Sequence, residues 1–223
     1  MPIAEEAYEA GIAMMYQNVD VPEVRARYGG GYVGANLYPQ GRALGEEAIR
    51  RFGLVAGDKA IVFGAWEEEG RVWRELGTAD VFEEAGMEVI KIVGEPEWAA
   101  DPNLQIPTIT AAVLANPDLK VIVTSGGQML GAIPLFMETV GKEPGEIINI
   151  GFDTSPAVIE AFRSGYVQLT ADQQPFLQGY LPILSLCGTL VYGFSPLNVD
   201  TGAGFVDETN YEQVADLAIA GYR

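Results

Sequence analysis

Short apolar runs alternate with longer amphipathic stretches through most of this chain. The short runs are rich in valine and isoleucine and are bounded by Gly, Asp, Asn or Pro, a pattern typical of buried strands. The runs predicted to be strands are Ile12–Tyr16, Tyr32–Ala35, Ala60–Gly64, Val89–Val93, Val121–Thr124, Ile147–Phe152 and Val167–Thr170, with a further short strand near Asn198–Asp200.

The stretches between these runs have helical periodicity. Predicted helices cover residues 38–53, 70–86, 106–118, 128–141, 155–165 and 174–193, and a last helix begins at about Asn210. Gly53 is typical of a helix end, and Ser155 followed by Pro156 is typical of a helix start. Because strands and helices alternate, the sequence predicts an α/β fold with right-handed βαβ units and a parallel sheet covered on both faces.

The charge balance is strongly acidic. Among 223 residues, 31 are Asp or Glu and 13 are Lys or Arg, giving a formal net charge of −18 and an isoelectric point near 4.2. Such a surface repels phosphate backbones, so no nucleic-acid partner is expected. The sequence has no histidine, the commonest general base and zinc ligand.

The cysteine and the N-terminus carry little functional signal. Cys187 is the single cysteine, and it is predicted to be a small buried core residue because it lies in an apolar run and has no disulfide partner. No apolar run is long enough for a transmembrane helix. The first residues lack the basic and apolar regions of a signal peptide, so the protein is either cytoplasmic or has lost its true N-terminus.

The stretch YGGGYVGAN contains the pattern G-x-G-x-x-G at Gly29, Gly31 and Gly34. A dinucleotide-binding motif must follow a strand and open a helix. Here the glycines precede a predicted strand, and the next helix begins only near Tyr38. An acidic residue for the ribose would fall near Leu54, where none stands. We therefore interpret these glycines as a loop that leads into a strand, and no cofactor is predicted.

Other enzyme signatures are missing as well. The chain has no phosphate-binding P-loop and no G-x-S-x-G motif, and a serine triad cannot form without histidine. The acidic run Glu67–Glu69 is interpreted as solvated, because consecutive side chains do not converge on a metal. The protein is therefore not expected to be an enzyme, and neither a catalytic residue nor a metal site is predicted.

A longer motif gives a more specific indication. The stretch GFDTSPAVIEAFRSGYVQLTADQQPFLQGY, from Gly151 to Tyr180, resembles the periplasmic sugar-binding proteins of ABC importers, and among them the ribose-type, type I solute-binding proteins. The segments YVGANLYPQGRALGEEAI, ANPDLKVIVTSGGQMLGAI and NVDTGAGFVDETN extend the resemblance over nearly the whole chain.

The resemblance implies a type I periplasmic-binding-protein-like fold, in which two α/β lobes are joined by three crossing strands and hold the ligand between them. Residues 1–35 and 173–199 would form a partial N-terminal lobe, and residues 36–172 and 200–223 a complete parallel-sheet C-terminal lobe. The first βα units of the family's N-terminal lobe and the export signal are expected to be missing. Gly34 would let the backbone pass closely at the first crossing.

The resemblance also implies a set of ligand-binding residues: Asn18, Arg74, Trp98, Ser125, Phe152, Asp153 and Gln173. Asp153 follows a predicted strand at its carboxyl end, where ligands sit in open α/β sheets. Its alternative role is to cap the helix that begins near Ser155. Gln173 would lie at a lobe crossing, where the alternative is a hinge hydrogen bond without ligand contact.

Other members of this set have competing interpretations. Arg71 competes with Arg74 for the arginine that donates to sugar oxygens, and a solvated helix face is the alternative. Asn18 is also a typical turn residue. Trp98 and Trp66 each follow a strand, where a stacking aromatic or a cover over the core would fit.

Ser125–Gly127 is a departure from the resemblance, because ribose-type relatives commonly carry Asn-Asp there. The ligand is therefore expected to differ from ribose, being bulkier at that point or bound through backbone amides. The predicted function is the substrate-binding component of an ABC transporter, a periplasmic monomer that delivers a sugar or polyol-like molecule to a membrane permease by hinge closure. The alternatives are the effector-binding core of a LacI-type regulator and a sugar or autoinducer sensor.

Overall fold

A computed structural model describes residues 2–68, 72–99 and 101–223. The strands are β1 (Met15–Asn18), β2 (Gly31–Gly34), β3 (Lys59–Gly64), β4 (Glu88–Val93), β5 (Leu119–Val123), β6 (Ile148–Phe152), β7 (Leu169–Asp172), β8 (Asn198–Asp200) and β9 (Gly204–Asp207). The α-helices are α1 (Pro2–Glu9), α2 (Pro22–Tyr28), α3 (Leu37–Phe52), α4 (Trp73–Glu84), α5 (Ile106–Ala115), α6 (Gly127–Gly131), α7 (Ile133–Thr139), α8 (Pro156–Arg163), α9 (Pro175–Tyr192) and α10 (Tyr211–Ile219). Short 3₁₀ turns lie at Pro96–Ala99 and Pro102–Gln105.

The larger sheet has the strand order β4-β3-β5-β6-β7-β9 and is parallel except for β9, which runs antiparallel to β7. One core cluster includes Leu44 of α3 and Phe82 of α4, and a second includes Ile109 of α5, Phe136 of α7 and Ile159 of α8. Both clusters also contain strand residues, so the sheet is covered by helices on both faces. The predicted α/β class and parallel sheet are confirmed.

The smaller sheet has the order β1-β2-β8 and is parallel throughout. Two of its strands precede residue 35, and the third follows the long helix α9, which packs against β1 and β2. Two separate parts of the chain thus build this sheet, while β3 to β7 and β9 build the larger one. The exact lobe boundaries given above stay a prediction.

The local signals for helix ends are confirmed. Gly53 has a φ of 64° after α3, and the Ser155 hydroxyl accepts a hydrogen bond from the Val158 amide at 3.3 Å. The predicted helix over residues 128–141 is wrong in one respect, because it is divided at Ala132 into α6 and α7. Pro134 follows this break and has no amide hydrogen to continue the helical ladder.

Some elements differ from the sequence prediction. Strands β1 and β7 begin later than the apolar pattern indicated, and α1, α2 and β9 were not predicted. Strands β1 and β7 end at the polar residues Asn18 and Asp172, whose backbones pair with neighbouring strands. A pattern of apolar side chains does not show backbone pairing at polar positions, so the sequence prediction ended both strands too early.

The glycine-rich stretch turns the chain and then enters β2. Gly29 and Gly30 have φ values of 77° and 98°, a region that suits residues without a side chain. A Cβ on Gly31 would lie 2.1 Å from the Leu197 carbonyl oxygen, and one on Gly34 would lie 2.3 Å from the Tyr32 hydroxyl. Close packing within the smaller sheet therefore explains these glycines.

The prediction that Cys187 is buried is wrong, because its side chain is exposed on α9. The buried positions of this helix are Gln178, Pro182 and Ser185, which are spaced to share one face. The apolar character continues around the helix, so composition could not tell which face packs on the sheet. Among the described residues, no helix is both long enough and apolar enough to cross a membrane.

Candidate ligand-binding site

The two sheets are linked by three chain connections that lie side by side. They run from β2 to α3, from β7 to α9 and from β8 to β9. The Thr201 amide donates to the Gly34 carbonyl oxygen at 3.0 Å, and the Gln174 side chain donates to the Thr201 carbonyl oxygen at 2.9 Å. The Asn36 side-chain amide donates to the Asp200 carboxylate at 2.8 Å. Hydrogen bonds therefore join all three connections.

A cavity of about 480 Å³ lies beside these connections. It is bordered by residues at the carboxyl ends of β1 and of the parallel strands β3 to β6, where ligands bind in open α/β sheets. The predicted site residues that border it are Asn18, Arg74, Trp98, Ser125, Asp153 and Gln173. The fold thus brings together residues that are far apart in sequence, and their roles in binding remain predictions.

Arg74 is held from several directions at one end of the cavity. Its guanidinium donates to the Ser125 carbonyl oxygen, and its Nη1 lies 3.7 Å from the Asp153 carboxylate. The guanidinium carbon lies 4.7 Å above the centre of the Phe152 ring, a distance that permits a cation–π contact. These contacts fix the orientation of Arg74, which lies at the start of α4. Arg71, its competitor, is outside the described residues.

Asp153 does not cap the following helix, since Ser155 does so. The Asp153 carboxylate instead accepts from the Gln173 amide at 2.6 Å, while the Asp153 backbone amide donates to the Ala171 carbonyl oxygen at 2.9 Å. The carboxylate is thereby positioned between Gln173 and Arg74. The capping alternative for Asp153 is therefore wrong.

A buried glutamine connects this cluster to the smaller sheet. The Gln178 side chain, 4% exposed, accepts from the Asn18 amide at 3.1 Å. The Gln178 amide donates to the Gln173 carbonyl oxygen at 3.0 Å and to the Thr201 hydroxyl at 3.0 Å. A chain of hydrogen bonds therefore runs from Asn18 through Gln178 and Gln173 to Asp153. Gln178 was not identified from the sequence, although it lies in the motif that carried the resemblance.

Unusual backbone conformations concentrate at this place. Among the described residues, the non-glycine residues with positive φ are Asn18 at 67°, Asp153 at 73° and Gln174 at 54°. Asn and Asp adopt this region more readily than most residues, whereas a glutamine seldom does. All three lie at the cavity or at a connection beside it. Strain of this kind is typical of functional sites.

Of the three aromatic residues considered for ligand contact, Trp98, Phe152 and Trp66, one borders the cavity. Trp98 borders the cavity, and its ring also meets Phe63 edge-on with 6.3 Å between centroids. Phe152 is fully buried beneath Arg74 and is not among the residues that border the cavity, and its predicted ligand contact stays a prediction. Trp66 donates to the Ile92 carbonyl oxygen at 3.0 Å and packs against the core, which supports its interpretation as a core cover.

Two of the polar residues that border the cavity but were not predicted from the sequence are almost fully buried. Glu75 is 3% exposed and Gln105 is 1% exposed. Burial raises the pKa of the Glu75 carboxyl, with the Arg74 guanidinium opposing this shift and Asp153 adding to it. The sequence position of Glu75 next to Arg74 could have indicated that Glu75 borders the cavity, whereas no feature of the sequence indicated this for Gln105.

The charged residues that border the cavity are mostly acidic. Glu68, Glu75, Glu95 and Asp153 face a single bordering cation, Arg74, among the described residues. No group of three or more Asp, Glu or Cys side chains in the described part of the chain could hold a metal ion, while Glu69 of the acidic run lies outside it. The site therefore favours a neutral or cationic ligand that carries hydrogen-bond donors.

Comparison with known proteins identifies the family. The family model described as periplasmic binding protein domain matches residues 1–190, and the chain belongs to this family. It is 29% identical over 226 residues to the xylose/arabinose-binding protein XylF of Sulfolobus acidocaldarius. The match covers 93% of this chain and 54% of that protein, so the chain spans about half the length of this curated relative.

Solved structures have the same fold. A carbohydrate transporter from Acidothermus cellulolyticus, in complex with myo-inositol, aligns with a TM-score of 0.81 and 22% identity, covering 100% of this chain and 74% of that one. An ABC transporter solute-binding protein from Burkholderia graminis, in complex with D-arabinose, aligns with a TM-score of 0.79 and 20% identity, covering 94% and 71%. The expected type I periplasmic-binding-protein-like fold is thereby confirmed.

Proposed function

We propose that this chain is the substrate-binding component of an ABC transporter and that it binds a neutral sugar or polyol-like molecule in the cavity beside the three connections. One observation carries the proposal. Hydrogen bonds through Gln178 link Asn18 on the smaller sheet to Gln173 and Asp153 beside the larger sheet, and Asn18, Gln173 and Asp153 all border the cavity. A ligand that bonds to its members would engage both sheets at once.

The residue types at the cavity suit a polyhydroxylated ligand. Asp153 accepts hydrogen bonds, Arg74 donates them, and the Gln173 and Asn18 amides can do both. Trp98 adds an aromatic surface against which the C–H face of a sugar can pack. The bordering carboxylates disfavour sugar acids and sugar phosphates, because bringing another anion beside them is electrostatically unfavourable.

The proposed mechanism is closure around the connections. Ligand contacts to both sheets favour a closed arrangement, which a membrane permease then recognises. We propose that the protein acts outside the cytoplasm as a monomer, that residues 1–35 with 173–199 and residues 36–172 with 200–223 are its two lobes, and that it has no nucleic-acid partner. The net charge of −18 supports the absence of a nucleic-acid partner, and the relative named for xylose and arabinose binding supports a sugar ligand.

Isothermal titration of this chain with D-xylose, L-arabinose, D-arabinose, D-glucose and myo-inositol tests the proposal. We expect saturable binding of at least one neutral compound, and no binding of D-glucuronate, the anionic counterpart of D-glucose. Absence of binding to every neutral compound at millimolar concentration would contradict the proposal.

The Asp153→Asn variant should weaken binding of the preferred compound about 10- to 100-fold, because an amide replaces one of the two carboxyl oxygens with a hydrogen-bond donor. The matched control is Glu208→Gln, which makes the same chemical change at an exposed position after β9. The same calorimetric titration measures both. Equal affinities for the Asp153 variant and the control would exclude Asp153 from the site.

A further inference from the structure

Glu75 is an almost fully buried carboxylate at the border of the cavity. It lies in the first turn of α4, and a Cβ built on Gly64 would come within 3.0 Å of its own Cβ. Its Oε1 atom accepts from Arg74 Nε at 3.3 Å. Its Oε2 atom is buried and has no hydrogen-bond partner in the described part of the protein.

Gln105 presents a similar case at the start of α5. Its Nε2 atom donates to the Trp98 carbonyl oxygen at 3.2 Å, which fixes the orientation of the amide. Its Oε1 atom is buried and has no partner among the residues that the structure describes. Buried polar atoms in folded proteins are nearly always hydrogen-bonded, so an acceptor left alone on each of these residues needs an explanation.

We propose that Glu75 Oε2 and Gln105 Oε1 each accept a hydrogen bond from a hydroxyl group of the ligand, and that these residues determine which sugars bind. The proposal rests on the proposed function, because it assigns a role to residues that border the same cavity. Arg74 Nε is bonded to the other carboxylate oxygen of Glu75, and the Trp98 carbonyl oxygen is bonded to the amide nitrogen of Gln105. A hydroxyl donor on the ligand would give each remaining acceptor atom a partner.

The proposal defines the ligand more narrowly than a neutral sugar. The ligand must carry free hydroxyl groups at the positions that meet these two residues. An analogue that lacks one of these hydroxyls, or carries an O-methyl group there, leaves a buried acceptor without a donor. A site built on hydrogen bonds rejects such analogues more strongly than an apolar pocket rejects a change of similar size.

The test combines residue substitutions with ligand deletions. Isothermal titration measures the binding of the best neutral compound and of its complete monodeoxy series to the wild-type chain, Glu75→Gln and Gln105→Met. Glu208→Gln and Gln213→Met are matched controls at exposed positions. For the parent sugar we expect losses of about tenfold or more for Glu75→Gln and about fivefold for Gln105→Met.

A direct hydrogen bond between a residue and a ligand hydroxyl makes the effects of removing either partner non-additive. We expect one monodeoxy analogue to bind wild type weakly but to lose little further affinity in Glu75→Gln, and a different analogue to behave in the same way with Gln105→Met. Equal losses for the parent and every analogue would mean that the residues only support Arg74 and Trp98, and would overturn the inference.

Three further outcomes would overturn the inference about Glu75 and Gln105. If wild type binds a neutral compound and all its monodeoxy analogues within about twofold, the inference fails whether or not the variants fold, while the proposed function stands. The inference also fails if neither variant differs from its control. If wild type binds none of the compounds, the proposed function fails and the inference fails with it.

Discussion

At the scale of single residues, the candidate site includes groups whose burial or backbone conformation is costly. Glu75 is a carboxylate that is 3% exposed, and Asp153 and Asn18 have positive φ values of 73° and 67°. Surrounding hydrogen bonds hold these residues in place. Such costs are tolerated where binding requires groups that are fixed before the ligand arrives.

The raised pKa of Glu75 gives a prediction for stability. Since burial raises this pKa in the folded state, the contribution of Glu75 is most favourable below its unfolded pKa of about 4.3 and is lost as pH rises through the folded pKa. Glu75→Gln removes this titration. Denaturant unfolding should therefore show the stability of the variant relative to wild type increasing between pH 4 and pH 8.

The control for this experiment is Glu208→Gln, whose side chain is exposed. Its stability relative to wild type should change little over the same pH range. A difference between Glu75→Gln and wild type that is constant with pH would contradict a raised pKa. Arg74 and Asp153, the charged groups that face Glu75, are unchanged in the wild type and in both variants.

At the scale of elements, the position of Arg74 and Glu75 depends on how closely α3 and α4 pack. A Cβ on Gly41 of α3 would lie 1.8 Å from the Arg74 carbonyl oxygen, and one on Gly77 of α4 would lie 2.4 Å from the Tyr38 carbonyl oxygen. The Thr78 hydroxyl also donates to the Gly41 carbonyl oxygen at 2.9 Å. Two glycines thus set the separation of the helices.

Gly41→Ala should push α4 outward and displace the side chains that border the cavity. We expect a loss of about 2 kcal/mol or more in the free energy of unfolding, together with weaker sugar binding. Denaturant unfolding and titration calorimetry measure the two effects. Gly179→Ala on α9 is the control, because its added Cβ meets nothing within 4 Å and should be neutral or stabilise by up to about 1 kcal/mol. Equal stability of the two variants would refute this role for Gly41.

The elements also show what the sequence could and could not predict. The larger sheet followed from the alternation of apolar runs and helical stretches, and Ser155 and Gly53 marked helix ends. Asp153 and Gln173 could be assigned to the cavity because they belong to a recognisable motif. Glu75 and Gln105 could not, because their burial depends on how α4 and α5 pack, and Cys187 was misplaced because α9 is apolar on more than one face.

At the scale of the whole molecule, Gln178 connects the two sheets without bordering the cavity. Gln178→Met keeps the volume but removes the bonds to Asn18, Gln173 and Thr201. We expect titration calorimetry to show a loss of affinity of about fivefold to tenfold, since the cavity residues would no longer be held together before binding. Gln213→Met is the exposed control, and an unchanged affinity in the Gln178 variant would argue against coupling through this residue.

If a sugar closes the two sheets around their connections, the distance between the sheets changes when the sugar binds. One spin label on Cys187, which is exposed on α9, and another at Glu138→Cys on α7 report on the smaller and larger sheets. As a control, labels at Glu138→Cys and Glu208→Cys in a Cys187→Ser background both report on the larger sheet.

Pulsed electron–electron double resonance would be recorded with and without a saturating neutral sugar. We expect the distance distribution between Cys187 and residue 138 to shift on binding while the control distribution stays constant. An unchanged distribution between Cys187 and residue 138, in a sample where calorimetry shows saturation, would contradict closure of the two sheets on sugar binding.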